Sequence, residues 1–300
     1  MANYFDEISR NKIKSILLMG IFCAFFLLIV YFFVLFLGGG PFAFAAGAVI
    51  ILAYAVFSYY AGSKVVLKVS GAKPADRSQN PVLYEAVEGI AAANQVPMPQ
   101  VYIINDPNPN AFATGRNKKH AYVAVTSGLL AMMNKQELEG VISHEVSHIA
   151  DNDIQFMMLA VVFAGVIGLV AAYMRMMFFF GGLGGRGRGG GSGLIILIAL
   201  ALGIIAPIFA MLVRLAISRR REYMADANGA RITRDPQSLA SALKKIEAYV
   251  SKPNQPPLKH ANEVTASLYF SNPLRAGSIS NIFSTHPPTA ERIKRLEAMY

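Results

Sequence analysis

The hydrophobic positions of this chain are concentrated in four long runs that contain no charged residue. The runs cover residues 16–37, 42–62, 154–174 and 194–213. About 20 apolar residues in a helix span a hydrocarbon core about 30 Å thick, and each run reaches that length. The first run exceeds the roughly 7 to 15 apolar residues of a cleaved signal peptide. The pattern therefore predicts an integral membrane protein with four transmembrane helices in two hairpins.

Two polar blocks, residues 64–153 and 214–300, lie outside these runs and predict an α+β fold that is predominantly α. Asn80 and Pro81 predict a helix start, with the helix extending to about residue 94. β-Branched and aromatic residues in "PMPQVYIIND" and "HAYVAVTSG" predict two strands, which the turn-rich "PNPNAFATGRNK" joins into a small β-hairpin. Asn134, followed three residues later by Glu137, predicts a capping box at the start of another helix.

Composition and charge support membrane insertion. Hydrophobic residues make up 54% of the chain and charged residues only 15%, whereas roughly a quarter of an average soluble domain is charged. A net charge of +10 is also found in nucleic-acid-binding proteins. Here, however, much of the basic excess flanks the apolar runs, which favours contact with the lipid bilayer and no nucleic-acid partner.

The basic residues beside the runs also predict the topology, because such residues tend to stay in the cytoplasm. The first hairpin is flanked by Lys14 and Lys64, and the second is followed by Arg214 and by a run of three arginines that ends at Arg221, so both polar blocks are expected to be cytoplasmic. The loop between the third and fourth runs carries three further arginines within residues 175–188. Either this loop crosses the membrane despite its charge or the second hairpin enters without spanning. The loop's "GGLGGRGRGGGSG" lacks the signature of a phosphate-binding loop and predicts a flexible connector.

The stretch "HEVSH" within the helix that follows Asn134 suggests a metal site. His144 and His148 are four residues apart and therefore share one helix face, so both imidazoles can reach one ion. Glu145 lies about 100° around the helix, where a carboxylate can act as general base on an attacking water. The alternative is an exposed helix with two solvated histidines, and this alternative predicts no third ligand nearby.

The second apolar hairpin supplies a candidate third ligand. His148 precedes the third run and Glu222 follows the fourth, so straight helices would place them roughly 9 Å and 14 Å beyond the apolar edge. The ends of an antiparallel hairpin lie together, and Glu222 can then complete a two-histidine, one-carboxylate zinc site. Asp226 and Asp153 could each orient a ligating imidazole. Taken alone, "REYMAD" is also typical of a charged helix leaving a membrane.

Three ordered motifs, "HEVSH", "REYMAD" and "STHPPTAERI", resemble those of the HtpX-type membrane-bound zinc metallopeptidases of the M48 family, which is related to the Ste24 prenyl proteases. The resemblance extends over essentially the whole chain. It implies a zincin-like (gluzincin) catalytic domain with one Zn²⁺ per chain, bound by His144, His148 and Glu222. It also implies that Glu145 is the general base and that His286 steadies the oxyanion, with Arg292 nearby.

The resemblance further implies that "NPNAFATG", with Asn110, Ala111 and Phe112, lies near a strand that binds substrate by β-augmentation. A loop with a buried Phe112 is the alternative. The domain division expected from these motifs is an N-terminal transmembrane hairpin (1–63), two parts of one catalytic domain (64–153 and 214–300) and an intervening apolar hairpin (154–213). The implied function is cytoplasmic-face cleavage of misfolded or damaged membrane proteins.

Two other functions remain open at this stage. A Ste24-like prenyl-peptide protease is less expected, because such enzymes enclose a chamber with more spans than the four counted here. A membrane scaffold with a structural metal site is the non-enzymatic alternative. Structural zinc usually has four protein ligands, often cysteines, and the only cysteine, Cys23, lies within the first apolar run. The sequence does not predict an oligomeric state.

Overall fold

The chain is mostly helical with one small mixed sheet. The computed structural model describes residues 13, 16–28, 31, 40–163, 165, 219–252, 258–259, 265–271 and 287–299. In chain order its elements are α1 (Ile16–Leu28), α2 (Pro41–Val69), β1 (Ala72–Pro74), α3 (Pro81–Ala93), β2 (Gln100–Ile104), β3 (Ala111–Asn117), β4 (His120–Thr126), α4 (Ser127–Met132), α5 (Lys135–Ala150), α6 (Asp153–Phe163), α7 (Arg219–Thr233), α8 (Pro236–Val250), a 3₁₀ turn (Thr265–Leu268) and α9 (Thr289–Glu297).

Helix α2 is the one helix among the described residues that is long and apolar enough to cross a membrane. It starts at Pro41, whose fixed φ suits the first helical turn. Its apolar side chains are largely exposed, with Phe42 at 89% and Ile50 at 69%, as expected for a helix that faces lipid. Near its C-terminal end, Val66 and Leu67 are instead buried against the sheet. Helix α2 thus combines an exposed apolar stretch with a C-terminal end that packs on the sheet.

The other three predicted spans lie partly or wholly outside the described residues. Helix α1 covers the beginning of the first run and α6 the beginning of the third, whereas the fourth run is not described. Phe22 of α1 stacks on Phe163 of α6, with ring centroids 3.8 Å apart. A Cβ added to Gly62 of α2 would lie 3.2 Å from the Met158 sulfur of α6. The three helices therefore pack closely, and the four-span arrangement stays a prediction.

The sheet has the strand order β1-β2-β4-β3. The expected hairpin between β2 and β4 is wrong, because these two strands are parallel. The segment assigned to the turn forms β3, which pairs antiparallel with β4 at the sheet edge. Its small residues Ala111, Ala113 and Gly115 are buried between β4 and the helices, and that burial outweighs the turn preference of the prolines and asparagines before them.

Helix α5 occupies the centre of the polar region, against β3, α3, α7 and α8. The predicted capping box is confirmed: Asn134 Oδ1 accepts the Glu137 N–H at 2.9 Å, and the Glu137 carboxylate accepts the Asn134 N–H at 3.0 Å. One core contains Val123 of β4, Ile142 of α5 and Leu243 of α8. Residues of both polar blocks therefore share one interior, with α5 in its middle.

Helices α5 and α6 are separate, so the straight helix used to estimate the height of His148 is wrong. Helix α5 ends with Asp151 as its C-cap, and Asn152 adopts a left-handed conformation with φ of 58°. Asparagine tolerates this region better than most residues. The resulting change of direction returns Asp153, at the start of α6, to the side of His148.

Candidate active site

Helices α5 and α7 bring His144, His148 and Glu222 together, although the third and fourth apolar runs separate Glu222 from His148 in the sequence. The two imidazole Nε2 atoms are 3.2 Å apart. One Glu222 oxygen lies 3.8 Å from His144 Nε2 and the other 3.7 Å from His148 Nε2. All three side chains are buried. The exposed-histidine alternative is therefore wrong.

These distances and charges fit a divalent cation. Ligand atoms about 2.0 to 2.2 Å from one tetrahedral ion lie about 3.3 to 3.6 Å from each other, close to the separations observed. The carboxylates of Glu145, Asp153, Glu222 and Asp226 and the guanidinium groups of Arg221 and Arg292 are buried around these three side chains. Imidazoles that bind a metal ion are neutral. With both imidazoles neutral and these four carboxylates ionised, the six charged groups sum to −2, which an ion of charge +2 would neutralise.

A chain of hydrogen bonds holds the His144 ring. Its Nδ1 lies 2.9 Å from Asp226 Oδ1. Arg292 donates to both oxygens of Asp226, at 2.9 Å from Nε and 2.7 Å from Nη2, and its Nη1 donates to the Phe270 carbonyl at 2.9 Å. The Phe270 ring packs edge-on against His144 with centroids 5.0 Å apart. Nε2 of His144 is thereby aimed at Glu222.

His148 has a similar arrangement on the opposite side of the site. Its Nδ1 lies 3.1 Å from Asp153 Oδ2, and Arg221 Nε lies 3.9 Å from Asp153 Oδ1. The Arg221 guanidinium also sits over the Phe156 ring, 4.8 Å from its centroid. On each side of the site, the histidine contacts an aspartate and the aspartate contacts an arginine. Each arginine in turn packs on a phenylalanine ring, Arg221 on Phe156 and Arg292 on Phe270.

Burial and neighbouring charge move the pKa values of the two histidines in opposite directions. Burial lowers the pKa of His144 to about 4, although the bond to Asp226 opposes this change. Burial would also lower the pKa of His148, but Asp153, Glu222 and Glu145 together raise it to about 9. The surrounding carboxylates thus favour a positive charge at this position.

Glu145 lies beside His148 and Glu222 and next to strand β3. The backbone N–H of Ala113 donates to its carboxylate. Burial raises the pKa of Glu145 to about 7, with Glu222 adding to this rise and His148 and the Ala113 N–H opposing it. A carboxyl group with a pKa near neutrality can both accept and release a proton.

Comparison with known protein families shows the family of the chain. Residues 77–300 match the model of peptidase family M48. The chain belongs to peptidase family M48. It is accordingly a metalloprotease, and the resemblance inferred from its motifs is confirmed. The matched range begins after α2 and includes every residue of the cluster around His144.

Full-length relatives support the same assignment. The chain is 44% identical to a protease HtpX homolog of Caldanaerobacter subterraneus subsp. tengcongensis, over 97% of this chain and 96% of the relative. It is 46% identical to a protease HtpX homolog of Thermococcus sibiricus, over 80% of this chain and 81% of the relative. The crystal structure of S. mikatae Ste24p shares the fold, with a TM-score of 0.51 and 17% identity over 98% of this chain and 67% of that one.

The remaining predicted residues are placed as follows. Asn110 binds the segment after the 3₁₀ turn, donating to the Ser271 carbonyl at 2.8 Å and accepting its N–H at 3.2 Å. The Ala111 carbonyl accepts the Phe270 N–H at 2.8 Å, and the Phe112 side chain is fully buried. Any pairing with substrate would therefore use the backbone of β3 beyond Ala111. His286 lies outside the described residues.

Several residues of the site were missed by sequence reasoning. Arg221 was counted among the basic residues that flank a membrane run, yet it is buried beside Asp153. Its position directly before Glu222 was the only available signal. Phe270 and Ala113 carry no recognisable signal, because one acts through its ring and carbonyl and the other through a backbone N–H.

Proposed function

We propose that this M48 metalloprotease is an integral-membrane zinc endopeptidase that cleaves misfolded or damaged membrane proteins at the cytoplasmic face. The observation that carries the proposal is the buried cluster of His144, His148 and Glu222 beside Glu145. It lies in a domain whose sheet packs on an apolar helix of membrane-spanning length. This combination suits peptide-bond hydrolysis near a bilayer.

One Zn²⁺ would be held by Nε2 of His144, Nε2 of His148 and the carboxylate of Glu222. Two imidazoles and one carboxylate are typical of catalytic zinc, and they leave a coordination position for water or substrate. Such an ion, when bound, polarises the scissile carbonyl and makes water more acidic. The excess of buried negative charge supports a resident divalent cation.

The protein's own groups would then move the protons and hold the geometry. Glu145 would accept a proton from the attacking water on a carboxylate oxygen and donate it to the leaving amine nitrogen. Asp226 and Arg292 would hold His144, and Asp153 would hold His148, so that the imidazoles keep one orientation and tautomer. We assign stabilisation of the oxyanion to His286, as the family motif implies.

The position of β3 supports substrates near the membrane. The β3–β4 turn contacts Tyr60 of α2 through Arg116, while Ala113, a few residues earlier in β3, contacts Glu145. Four residues of extended chain cover at most about 13 Å. If Arg116 lies at the lipid boundary, Ala113 and the Glu145 carboxylate beside it stand at most about 13 Å above that boundary, within reach of a segment emerging from the bilayer.

The proposed topology follows the charges beside α2 and the three runs that are not fully described. Lys64 and Lys68 near the end of α2 favour a cytoplasmic location for the region that follows. Residues 1–63 would form one transmembrane hairpin and 154–213 a second, with 64–153 and 214–300 forming one catalytic domain between them. Labelling engineered cysteines from each side of sealed vesicles would test this topology, and label reaching residues 64–153 from outside would contradict it.

Metal content and cleavage by the purified full-length protein test the mechanism. Glu145→Gln should keep one zinc and lose at least about 100-fold in kcat, because the general base is removed. Glu222→Ala should lose zinc. Glu139→Gln, a half-exposed position on the same helix, is the matched control and should keep both zinc and activity. Cleavage by Glu145→Gln at the wild-type rate would refute the mechanism.

The substrate class needs a separate measurement. An unfolded reporter tethered to a transmembrane helix should be cleaved faster in proteoliposomes than the same reporter added in solution. Equal rates would count against membrane-bound substrates without affecting the protease assignment. In cells, removal of the enzyme should prolong the lifetimes of misfolded membrane proteins, and unchanged lifetimes would contradict a role in their quality control.

A further inference from the structure

The turn between β3 and β4 forms a basic tip that the proteolytic mechanism does not use. This hairpin tip, residues 116–120, carries Arg116, Lys118 and Lys119 within four positions. Lys119 is exposed and Lys118 half-exposed. Among the described residues, no carboxylate forms an ion pair with any of the three. The tip therefore presents positive charge that no described part of the protein neutralises.

Two contacts hold the hairpin tip against the apolar helices. The Arg116 guanidinium sits over the Tyr60 ring of α2, 4.8 Å from its centroid. At Gly115 the pairing with β4 shifts register and φ is 157°. A Cβ at Gly115 would lie 2.9 Å from the Ile154 side chain of α6 and 2.5 Å from the His120 carbonyl. A bulge at this position turns the end of the hairpin and fits it between α2 and α6.

The length of α2 locates this contact at the expected lipid boundary. Residues 41–60 form a helical stretch about 30 Å long at about 1.5 Å per residue, which equals the thickness of the hydrocarbon core. Tyrosine is enriched where a helix leaves the core, and Tyr60 is 59% exposed. Lys64 lies one helical turn beyond Tyr60 on the same face and is exposed. Lys64 therefore lies close to the tip.

We propose that the hairpin tip and Lys64 together bind the phosphate groups of acidic phospholipids in the leaflet at the C-terminal end of α2. The surrounding sequence has the required charge, since residues 41–75 and 107–136 contain no aspartate or glutamate. Lysine and arginine bind phosphate oxygens through charge-assisted hydrogen bonds. The acyl chains of a phospholipid bound in this way would lie in the hydrocarbon core beside the neighbouring apolar helices. An acidic phospholipid would thus fasten the membrane end of β3.

Native mass spectrometry of the full-length protein in mild detergent tests the proposal. Phosphatidylglycerol, phosphatidylcholine and inorganic phosphate are the three probes. Lys118→Gln/Lys119→Gln removes two charges from the tip and leaves the Arg116 contact with Tyr60 intact. Arg231→Gln/Arg234→Gln, at two exposed positions near the far end of α7, is the matched control. Thermal unfolding should be the same for both variants, because all four side chains lie at the surface.

Wild type and control should bind phosphatidylglycerol in preference to phosphatidylcholine. Each basic residue near an acidic membrane surface strengthens binding about fivefold, so the tip variant should bind phosphatidylglycerol about 25-fold more weakly. An unchanged preference in the tip variant would overturn the proposal. Displacement of phosphatidylglycerol by inorganic phosphate at equal concentration would also overturn it, since the site would then be a free-anion site. Because neither readout uses proteolysis, both are independent of the proposed substrates.

Discussion

Replacing Gly229 by alanine is expected to weaken the metal site without unfolding the protein. Gly229 lies on α7, two helical turns after Glu222, at the point where α7 crosses α5. A Cβ at this position would lie 2.8 Å from Ser143 Oγ and 3.1 Å from the His144 backbone nitrogen. Ordinary contacts are 3.4 to 4 Å. The two helices that carry the ligands would therefore have to separate by several tenths of an ångström.

Two opposing effects determine the size of the change. Alanine is favoured over glycine inside a helix by about 1 kcal/mol, whereas overpacking an interior typically costs about 1 to 3 kcal/mol. We expect a net destabilisation of roughly 0 to 2 kcal/mol from these two figures. Catalytic geometry is more sensitive, because a displacement of about 1 Å can cost about 100-fold in rate. A shift of about half that size predicts a loss in kcat/KM of about tenfold.

Thermal unfolding and cleavage of a tethered reporter measure the two effects separately. Gly89→Ala on α3 is the matched control, because no atom lies within 4 Å of its added Cβ. This control should gain about 1 kcal/mol in stability and keep full activity. Ser143→Ala combined with Gly229→Ala removes the close contact with Ser143 Oγ and should restore part of the lost activity. If Gly229→Ala is as active as wild type and also more stable, the close approach of α5 and α7 does not constrain the site.

Three further outcomes follow from the structure. Asp226→Asn should lower zinc affinity about 10- to 100-fold, as measured by competition with a chelator. It should also destabilise the protein, because Arg292 loses a buried charged partner. Unchanged zinc affinity would contradict the orienting role of Asp226. Burial would raise the pKa of Glu137, but hydrogen bonds from Lys245, Ser241 and the Asn134 backbone lower this pKa overall. The ionised Glu137 carboxylate therefore stabilises the fold above about pH 4.5, and this stabilisation is lost as pH falls through the lower pKa of the folded state. Glu137→Gln should therefore differ most from wild type in unfolding free energy at neutral pH, and a difference that grew in acid would reverse the sign of this reasoning. Because the site stands at most about 13 Å above the proposed lipid boundary, tethered reporters should already be cleaved at a peptide bond about four extended residues from that boundary. A requirement for a tether of about ten or more extended residues would contradict the proposed height of the site.

The local parts of the site could be predicted from the sequence. The capping box at Asn134 and the shared face of His144 and His148 depend only on residues within one or two helical turns. Glu222 required one further idea, that an apolar hairpin returns the chain to the side of the membrane it left. The distance between the ligands could not be predicted, because it depends on side-chain size at the crossing of α5 and α7, including Gly229.

Long-range pairing explains what the sequence did not predict. The segment at residues 107–118 contains turn-forming residues, yet most of its second half becomes β3 because β4 provides a partner and α5 covers it. In the sequence, Arg221 resembles the basic residues that flank a membrane span, and only the fold brings it next to Asp153. The break at Asn152 was likewise hidden, since a helix with one left-handed residue at its end has the same apolar pattern as a continuous helix.

The division of the proposed metal ligands between two polar blocks also affects when activity can arise during biosynthesis. His144 and His148 leave the ribosome well before Glu222, and Arg292 follows only near the end of the sequence. Until α7 folds against α5, His144 and His148 lack Glu222, which completes the buried cluster. Under the proposed topology, a new copy of the enzyme would therefore become active only after residues 154–213 have been inserted and the second block has folded. The order of synthesis would delay the activity of each new copy toward any neighbouring protein.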